Sequence, residues 1–166
     1  MKTYIGIDNG LDGGIAVLPG VRDMHDMATT MPTLECGKKR VLNEDAIADL
    51  FRGWSLVDGN LIVAIEVAQV MPKQGSVGGF NYGTSYGIVR GICVGLQIPY
   101  VLVAPRQWQK ELFNGLSKSD TKSMSVVVAK RMFPLVSLKA TDRSKKDSDG
   151  MSDALLIAAY ARRMNF

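Results

Sequence analysis

The sequence predicts an α/β protein built on a mixed sheet of five strands with helices packed on it. Two observations predict this class. Three strand-like stretches follow one another at the start of the chain, and further along apolar strand-like runs alternate with helix-like segments. Consecutive strands at the start of the chain are typical of an antiparallel meander. The later alternation of strands and helices is typical of parallel strands joined by helices. With 166 residues, the chain fits a single domain over residues 1–166.

The predicted strands are short runs bounded by turn-forming residues. Residues 3–8 alternate and end in an acid, and Asn9-Gly10 then marks a turn into a second strand that pairs back as a hairpin. The run 61–66 (LIVAIE) is apolar up to its final Glu66, which suits a buried central strand. The five predicted strands cover residues 3–8, 15–19, 23–31, 61–66 and 99–103.

The predicted helices are identified by their first residues and their apolar periodicity. Asn43 precedes an acidic first turn and predicts an N-cap, and Pro105 suits the first position of a short helix. The last helix has an apolar stripe that faces the core. The five predicted helices cover residues 44–54, 80–97, 105–113, 121–133 and 149–164, and residues 33–41 are predicted as a loop.

Composition favours a soluble protein of the cytoplasm, or of the host cytoplasm if a phage encodes it. No signal peptide follows the first Lys, and no uncharged apolar run approaches the ~20 residues of a membrane span, so no membrane partner is expected. Cys36 and Cys93 lack metal-ligand spacing and are predicted to be reduced, buried thiols.

The positive charge of the chain is concentrated in one segment. The net charge is +4, but residues 104–146 hold ten Lys or Arg and three acids, a local balance of +7. Such a segment can neutralise phosphates, although charge alone slightly favours an ordinary solvated basic surface.

Four acids stand at positions that predict a metal site. Asp8 and Glu66 each end an apolar strand, and the carboxyl ends of adjacent strands open into one crevice. Asp149 and Asp153 lie four apart on the last helix and so share a face. Four such carboxylates need compensation, which two Mg²⁺ ions would supply for phosphoryl chemistry. Taken singly, each acid is better explained as a turn former or helix cap than as a ligand, and Glu66 is the hardest to explain in that way.

These motifs resemble the RuvC family of Holliday junction resolvases in the ribonuclease-H-like superfamily, and particularly its phage members. The resemblance is carried by IGIDNGLDGGIAVL (5–18), VAIEVAQVMPKQG (63–75) and DGMSDALLIAAYARR (149–163). The family's four acids match Asp8, Glu66, Asp149 and Asp153 in order. The last two are four apart here, whereas well-known bacterial members space them by three. Asp147 is therefore a rival for one ligand, and Asp12 is a weaker rival.

The resemblance implies a ribonuclease-H-like fold and a crossover junction endodeoxyribonuclease. Two Mg²⁺ ions per active site, with Mn²⁺ as a substitute, would support in-line attack of water on the phosphodiester of four-way or other branched DNA. The products would carry 5′-phosphate and 3′-hydroxyl ends.

Several basic and aromatic residues are candidate DNA contacts. Family resemblance assigns Lys110 and Lys122 to the scissile phosphate as catalytic groups, with Lys118 as a substitute; ordinary backbone contact or solvation is equally compatible with all three. Further DNA-binding candidates are Lys73, Arg106 and Phe80. Tyr82 and Trp108 are expected in the core.

Gly83, Gly87, Gly91 and Gly95 recur every fourth residue in the predicted helix 80–97. Because each helical glycine costs ~0.5–1 kcal/mol relative to Ala, a close backbone neighbour is expected. That neighbour is either the chain's own sheet or, as the resemblance implies, the second subunit of a homodimer.

Two other functions compete with the nuclease. An ATPase of the actin and sugar-kinase type also begins Asp-x-Gly, but it needs two such domains, so no nucleotide cofactor is expected. A non-catalytic protein that binds branched DNA is the alternative from another class, and the presence of all four acids argues against it.

Overall fold

The structure, a computed structural model, describes residues 2–22, 24–67, 75–115 and 121–166, with the side chains of residues 76 and 121–123 outside the description. In chain order the elements are β1 (Thr3–Asp8), β2 (Gly14–Leu18), β3 (Met27–Thr30), β4 (Thr33–Cys36), β5 (Lys39–Leu42), α1 (Glu44–Val57), β6 (Leu61–Glu66), α2 (Ser76–Gly95), β7 (Tyr100–Val103), α3 (Pro105–Leu112), α4 (Thr121–Met132) and α5 (Asp149–Met164).

Five strands form one mixed sheet in the order β3-β2-β1-β6-β7. The β1–β2 and β2–β3 pairs are antiparallel, whereas β1–β6 and β6–β7 are parallel. The prediction of a mixed five-stranded α/β sheet is therefore confirmed. Ile7 pairs with Ile65, so the next residues along, Asp8 and Glu66, end neighbouring strands at the same edge of the sheet.

Helix α5 packs on one face of this sheet, and its buried apolar residues form much of the core there. Glycine permits the close approach: a Cβ on Gly6 of β1 would lie 2.0 Å from the carbonyl oxygen of Ala154, and one on Gly150 would lie 2.3 Å from that of Asp12. Ser148, rather than Asp149, caps the helix by accepting a hydrogen bond from the backbone of Met151 at 3.3 Å. The acids of the first turns of α5 are thereby brought to the end of β1.

The opposite face of the sheet is covered mainly by α1 and α2. Asn43 caps α1 as predicted, its side chain accepting from the backbone of Ala46 at 3.1 Å. The third strand was predicted over residues 23–31, and β3 occupies only Met27–Thr30 near the end of that range. Helix α2 begins at Ser76, four residues earlier than predicted. Across the described residues, no helix combines the length and apolar character needed to cross a membrane.

The prediction of a loop over residues 33–41 is wrong. This segment forms a separate two-stranded hairpin, β4 and β5, closed by a two-residue turn at Gly37 and Lys38. Gly37 has a φ of 64°, which suits the first central position of a tight hairpin turn. Cys36, at the end of β4, is exposed, so the expectation of a buried thiol holds only for Cys93.

Candidate active site

Asp8 ends β1 beside the end of β6, in a partly buried position. The pKa of its carboxyl is raised to about 6, chiefly by burial and then by the negative charge of Asp153, while a hydrogen bond from the backbone of Gly10 opposes the shift. The carboxylate of Asp8 is thus held in an environment that disfavours its charge, and a cation would offset that cost.

Glu66 ends β6 and is also partly buried. The pKa of Glu66 is raised to about 7, chiefly by burial; the hydrogen bond from Trp108 opposes the shift, and the charges of Asp8 and Asp153 contribute to it. The indole Nε1 of Trp108 donates to Glu66 Oε1 at 2.9 Å. Glu66 therefore has one carboxylate oxygen fixed by the core and lies within electrostatic reach of two other acids.

Asp149 and Asp153 lie one turn apart on α5 and line the same pocket as Asp8, with a volume of about 390 Å³. Gln109 of α3 and Ser125 of α4 line it as well. Asp149 is exposed, whereas Asp153 is partly buried. Three of the four predicted acids thus share one pocket, and the fourth, Glu66, interacts with two of them through their charges.

The donor set fits a hard divalent cation in its chemistry, because every candidate ligand is a carboxylate oxygen. It does not form a ready-made site: within the described ranges, no three Asp, Glu, His or Cys side chains are grouped closely enough to hold an ion as they stand. Side-chain rotation is therefore required to bring the carboxylates onto one ion. The raised pKa values of Asp8 and Glu66 show how strongly uncompensated charge is disfavoured there.

The two rival acids are each paired with basic side chains. Asp147 pairs with Lys130 at 2.6 Å and Lys139 at 3.5 Å, and the hydrogen bond from Lys130 lowers its pKa. Asp12 lines the pocket but pairs with Arg40, and its side chain is 90% exposed. The ion pairs of Asp147 favour Asp149 over it as a ligand, whereas Asp12 lines the same pocket and stays a weaker rival.

The residues predicted to contact DNA differ in their exposure and in their position relative to the acid pocket. Lys110 and Arg106 lie exposed on α3, where Gln109, rather than Lys110, lines the acid pocket. Phe80 is 74% exposed in the first turns of α2, which is compatible with a contact to DNA. The predictions for Lys73 and Lys118 lie outside the described residues, and Lys122 is described only as part of the backbone of α4.

Three neighbours of the acids were not predicted as site residues. Trp108 is buried as expected, but its donated hydrogen bond to Glu66 could not be inferred from the sequence. Tyr82 is partly buried beside the acids rather than packed in the core: burial raises the pKa of its phenol, and the charges of Glu66 and Asp8 raise it further. Asn9, predicted only as a turn residue, is fully buried and donates to the backbone oxygen of Glu66 at 2.6 Å.

The four glycines of α2 form an exposed face that we call the glycine face (Gly83, Gly87, Gly91 and Gly95). Apart from the neighbouring residues and backbone of α2 itself, none of the described residues comes within 4 Å of a Cβ built on any of them. The buried residues of α2, namely Ser85, Val89 and Cys93, are offset from it by two positions, about 200° around the helix. The alternative that the chain's own sheet fills the glycine stripe is therefore wrong.

The sheet order and the placement of α5 define a ribonuclease-H-like fold of the kind found in junction resolvases. Two solved structures of RuvC from Thermus thermophilus share it at 18% identity. One has a TM-score of 0.59 and covers 98% of this chain and 96% of that chain. The other, in complex with a Holliday junction substrate, has a TM-score of 0.64 and covers 99% and 97%.

The yeast mitochondrial Holliday junction resolvase Ydc2 shares the fold at 12% identity and a TM-score of 0.54, covering 96% of this chain and 77% of that chain. No family model and no curated protein matches the sequence. At these identities the likeness shows the fold, and it confirms the RuvC-like fold that the sequence motifs predicted.

Proposed function

We propose that this protein is a divalent-metal-dependent endonuclease that resolves Holliday junctions and other branched DNA. The observation that carries the proposal is that Asp8, Asp149 and Asp153 line one pocket while Glu66 ends the strand beside Asp8. Burial and repulsion between the acids also raise the pKa values of Asp8 and Glu66. The T. thermophilus RuvC bound to a Holliday junction substrate, which has the same fold, supports DNA as the substrate. The phage type and the cytoplasmic location stay predictions.

Asp8, Glu66, Asp149 and Asp153 would hold Mg²⁺ or Mn²⁺, with two ions proposed for each site. When bound, the cations supply electrostatic stabilisation of the attacking and leaving oxygens in an in-line displacement at phosphorus. The chain's own residues orient that chemistry: the strand ends fix Asp8 and Glu66, and the first two turns of α5 present Asp149 and Asp153 to the same pocket. Lys110 and Lys122 are proposed to face the scissile phosphate, where a cation would stabilise developing charge.

The proposal is tested by nicking assays on four-way, forked and linear DNA of one sequence, with Mg²⁺, Mn²⁺ or EDTA. We expect cleavage of the branched substrates, dependence on the metal, and a loss of at least about 100-fold in Asp8→Asn. Asp49→Asn is the matched control, because Asp49 lies exposed on α1 and pairs only with Arg52 among the described contacts. Tight junction binding without nicking in either metal would support the non-catalytic alternative instead.

We also propose that the protein is a homodimer through the glycine face. Its neighbours on α2 include exposed apolar residues, Val77 at 71% and Val94 at 64%. A second helix could approach such a surface closely, and a two-fold dimer suits a four-way junction that is cut twice.

The dimer is tested by light scattering on Gly87→Leu. This change raises intrinsic helix propensity by about 1 kcal/mol, so the subunit should fold yet be monomeric. Gly53→Leu is the matched control, because Gly53 is an exposed glycine of α1 that also has open space around it. A monomeric wild type, or a Gly87→Leu protein that remains dimeric, would contradict the proposal.

A further inference from the structure

The hairpin β4–β5 stands apart from the main sheet and contributes little to the core. Of its eight strand residues, only Leu42 is buried, and six are exposed. A two-stranded hairpin is only marginally stable by itself. Core packing therefore does not explain why the chain contains this one.

Three consecutive cations occupy the turn and the start of β5: Lys38, Lys39 and Arg40. We call this group the cationic hairpin. Because side chains alternate along a strand, Lys39 and Arg40 lie on opposite faces of the hairpin, with Lys38 in the turn between the strands. The end of the hairpin therefore presents positive charge in more than one direction, which suits the two phosphate backbones of a DNA duplex.

The position of the hairpin favours a contact with DNA over a basic surface that is only solvated. Arg40 and Thr33 line a groove of about 410 Å³ that also includes Asp12 and Asp149. Both of those acids line the acid pocket as well, so the groove continues directly from the candidate active site.

The same groove is also lined by Ala140 and Ser148, which bound a segment with exposed Arg143, Lys145 and Lys146. The hairpin and this segment, which both supply lining residues, therefore both carry exposed positive charge. The pair between Arg40 and Asp12 is exposed, so it contributes at most about 1 kcal/mol and can be exchanged for a phosphate contact.

We propose that the cationic hairpin binds the backbone of the duplex arm that leaves the acid pocket. The proposal rests on the nuclease function proposed above and extends it. Lys38 lies two residues from Arg40 and five from Thr33, and both of these residues line the groove, so the turn lies about 7–16 Å from it along the strands. That range corresponds to phosphates roughly two to five base pairs from the groove, at 3.4 Å per nucleotide.

The test compares K38A/K39A with a control that removes the same charge elsewhere. Lys2 precedes β1 and Arg22 follows β2, so both lie at the end of the sheet opposite the acids, and K2A/R22A is the matched control. Binding to a four-way junction is measured in EDTA over a range of salt concentrations. We expect K38A/K39A to bind more weakly and to lower the slope of log K against log salt by about two, and K2A/R22A to leave both unchanged.

Neutral methylphosphonates in the arm locate the contact. Substitution two to five phosphates from the cut should weaken binding of the wild type and have little further effect on K38A/K39A. If K38A/K39A binds the junction with the affinity and salt slope of the wild type, or if K2A/R22A loses as much affinity, the proposed role of the hairpin is wrong. Neither result would contradict the nuclease function. A wild type that neither binds nor nicks branched DNA would overturn the nuclease function together with the role of the hairpin.

A second inference rests on the hydrogen bond between Trp108 and Glu66. Trp108 is fully buried, and its ring meets Phe113 edge-on with centroids 5.4 Å apart. Its Nε1 therefore has a fixed position, from which it donates to Glu66 Oε1. We infer that Trp108 is a positioning residue that holds one oxygen of Glu66, which would leave the other available to a divalent cation; this inference rests on the metal site proposed above.

The test uses the two tryptophans of the chain. Trp108→Phe keeps the aromatic contact to Phe113 but removes the donor, and the affinity for Mn²⁺ measured by calorimetry should fall about 10- to 100-fold. The value of kcat should fall while the KM for junction DNA stays unchanged. Trp54→Phe, which removes the tryptophan whose ring lies tilted against that of Phe51, should leave both properties unchanged.

Trp54→Phe also leaves Trp108 as the sole tryptophan, so its fluorescence reports on Glu66. We expect Mn²⁺ or Mg²⁺ to change that emission in the absence of DNA. Unchanged Mn²⁺ affinity in a folded Trp108→Phe protein, or emission from Trp108 that is insensitive to metal, would overturn the inference.

Discussion

The most informative substitution is Glu66→Gln, because it should stabilise the metal-free protein while it abolishes cleavage. Gln keeps an oxygen that can accept the hydrogen bond from Trp108 at the position of Glu66 Oε1, so the packing is preserved. What the substitution removes is a carboxyl whose pKa is raised from 4.5 to about 7 in the folded chain, chiefly by burial.

The sign follows from linkage. Because the pKa of Glu66 is higher in the folded chain, its favourable contribution to the free energy of unfolding is present below about pH 4.5 and is lost as the pH rises through about 7. At 1.36 kcal/mol per pKa unit, the loss is at most about 3 kcal/mol. Glu66→Gln does not titrate, so it avoids this loss.

The assay is denaturant unfolding in EDTA at pH ~4.5 and pH ~8. We expect equal stability at the lower pH and a gain of about 1–3 kcal/mol for Glu66→Gln at the higher pH, which corresponds to roughly 2–12 °C in the melting temperature. Glu35→Gln, at an exposed site on β4, should show no such gain. A Glu66→Gln protein that is no more stable than the wild type at pH ~8 would refute the reasoning.

Two further substitutions test the fold and the choice of ligands. Gly6→Ala should destabilise the protein by several kcal/mol, because the added methyl would lie 2.0 Å from the carbonyl oxygen of Ala154; a melting temperature within about 2 °C of the wild type would contradict the packing of α5. Asp147→Asn should retain metal-dependent nicking, since Asp147 pairs with Lys130, whereas Asp149→Asn should lose it; the reverse result would make Asp147 the ligand.

The sheet and its helices were predictable because their signals are local. Alternation in β1, the apolar run of β6 and the cap at Asn43 each depend on neighbouring residues alone. The hairpin β4–β5 had a local signal too, a glycine followed by Lys38 between two short extended stretches, but its polar strands lack the apolar alternation by which the others were identified. Exposure of both faces removes that pattern.

The candidate site was predictable only in part. Acids at strand ends and at the start of a helix show which residues can meet, because strand direction and helix periodicity fix their edges and faces. The donor to Glu66 comes from Trp108, 42 residues away, and an apolar ring in a predicted core gives no indication of where its N–H points. The direction in which the glycine face points could not be predicted from the sequence either. Only the burial of Val89 and Cys93 in the structure shows which side of α2 faces the core.

The binding of Mn²⁺ to the metal-free protein in solution, without DNA, tests the central claim most directly. If the carboxylates of β1, β6 and α5 share cations, the wild type will bind Mn²⁺, and Asp8→Asn and Asp153→Asn will each lose most of that binding while remaining folded. Equal Mn²⁺ binding by the wild type and both variants would contradict the account.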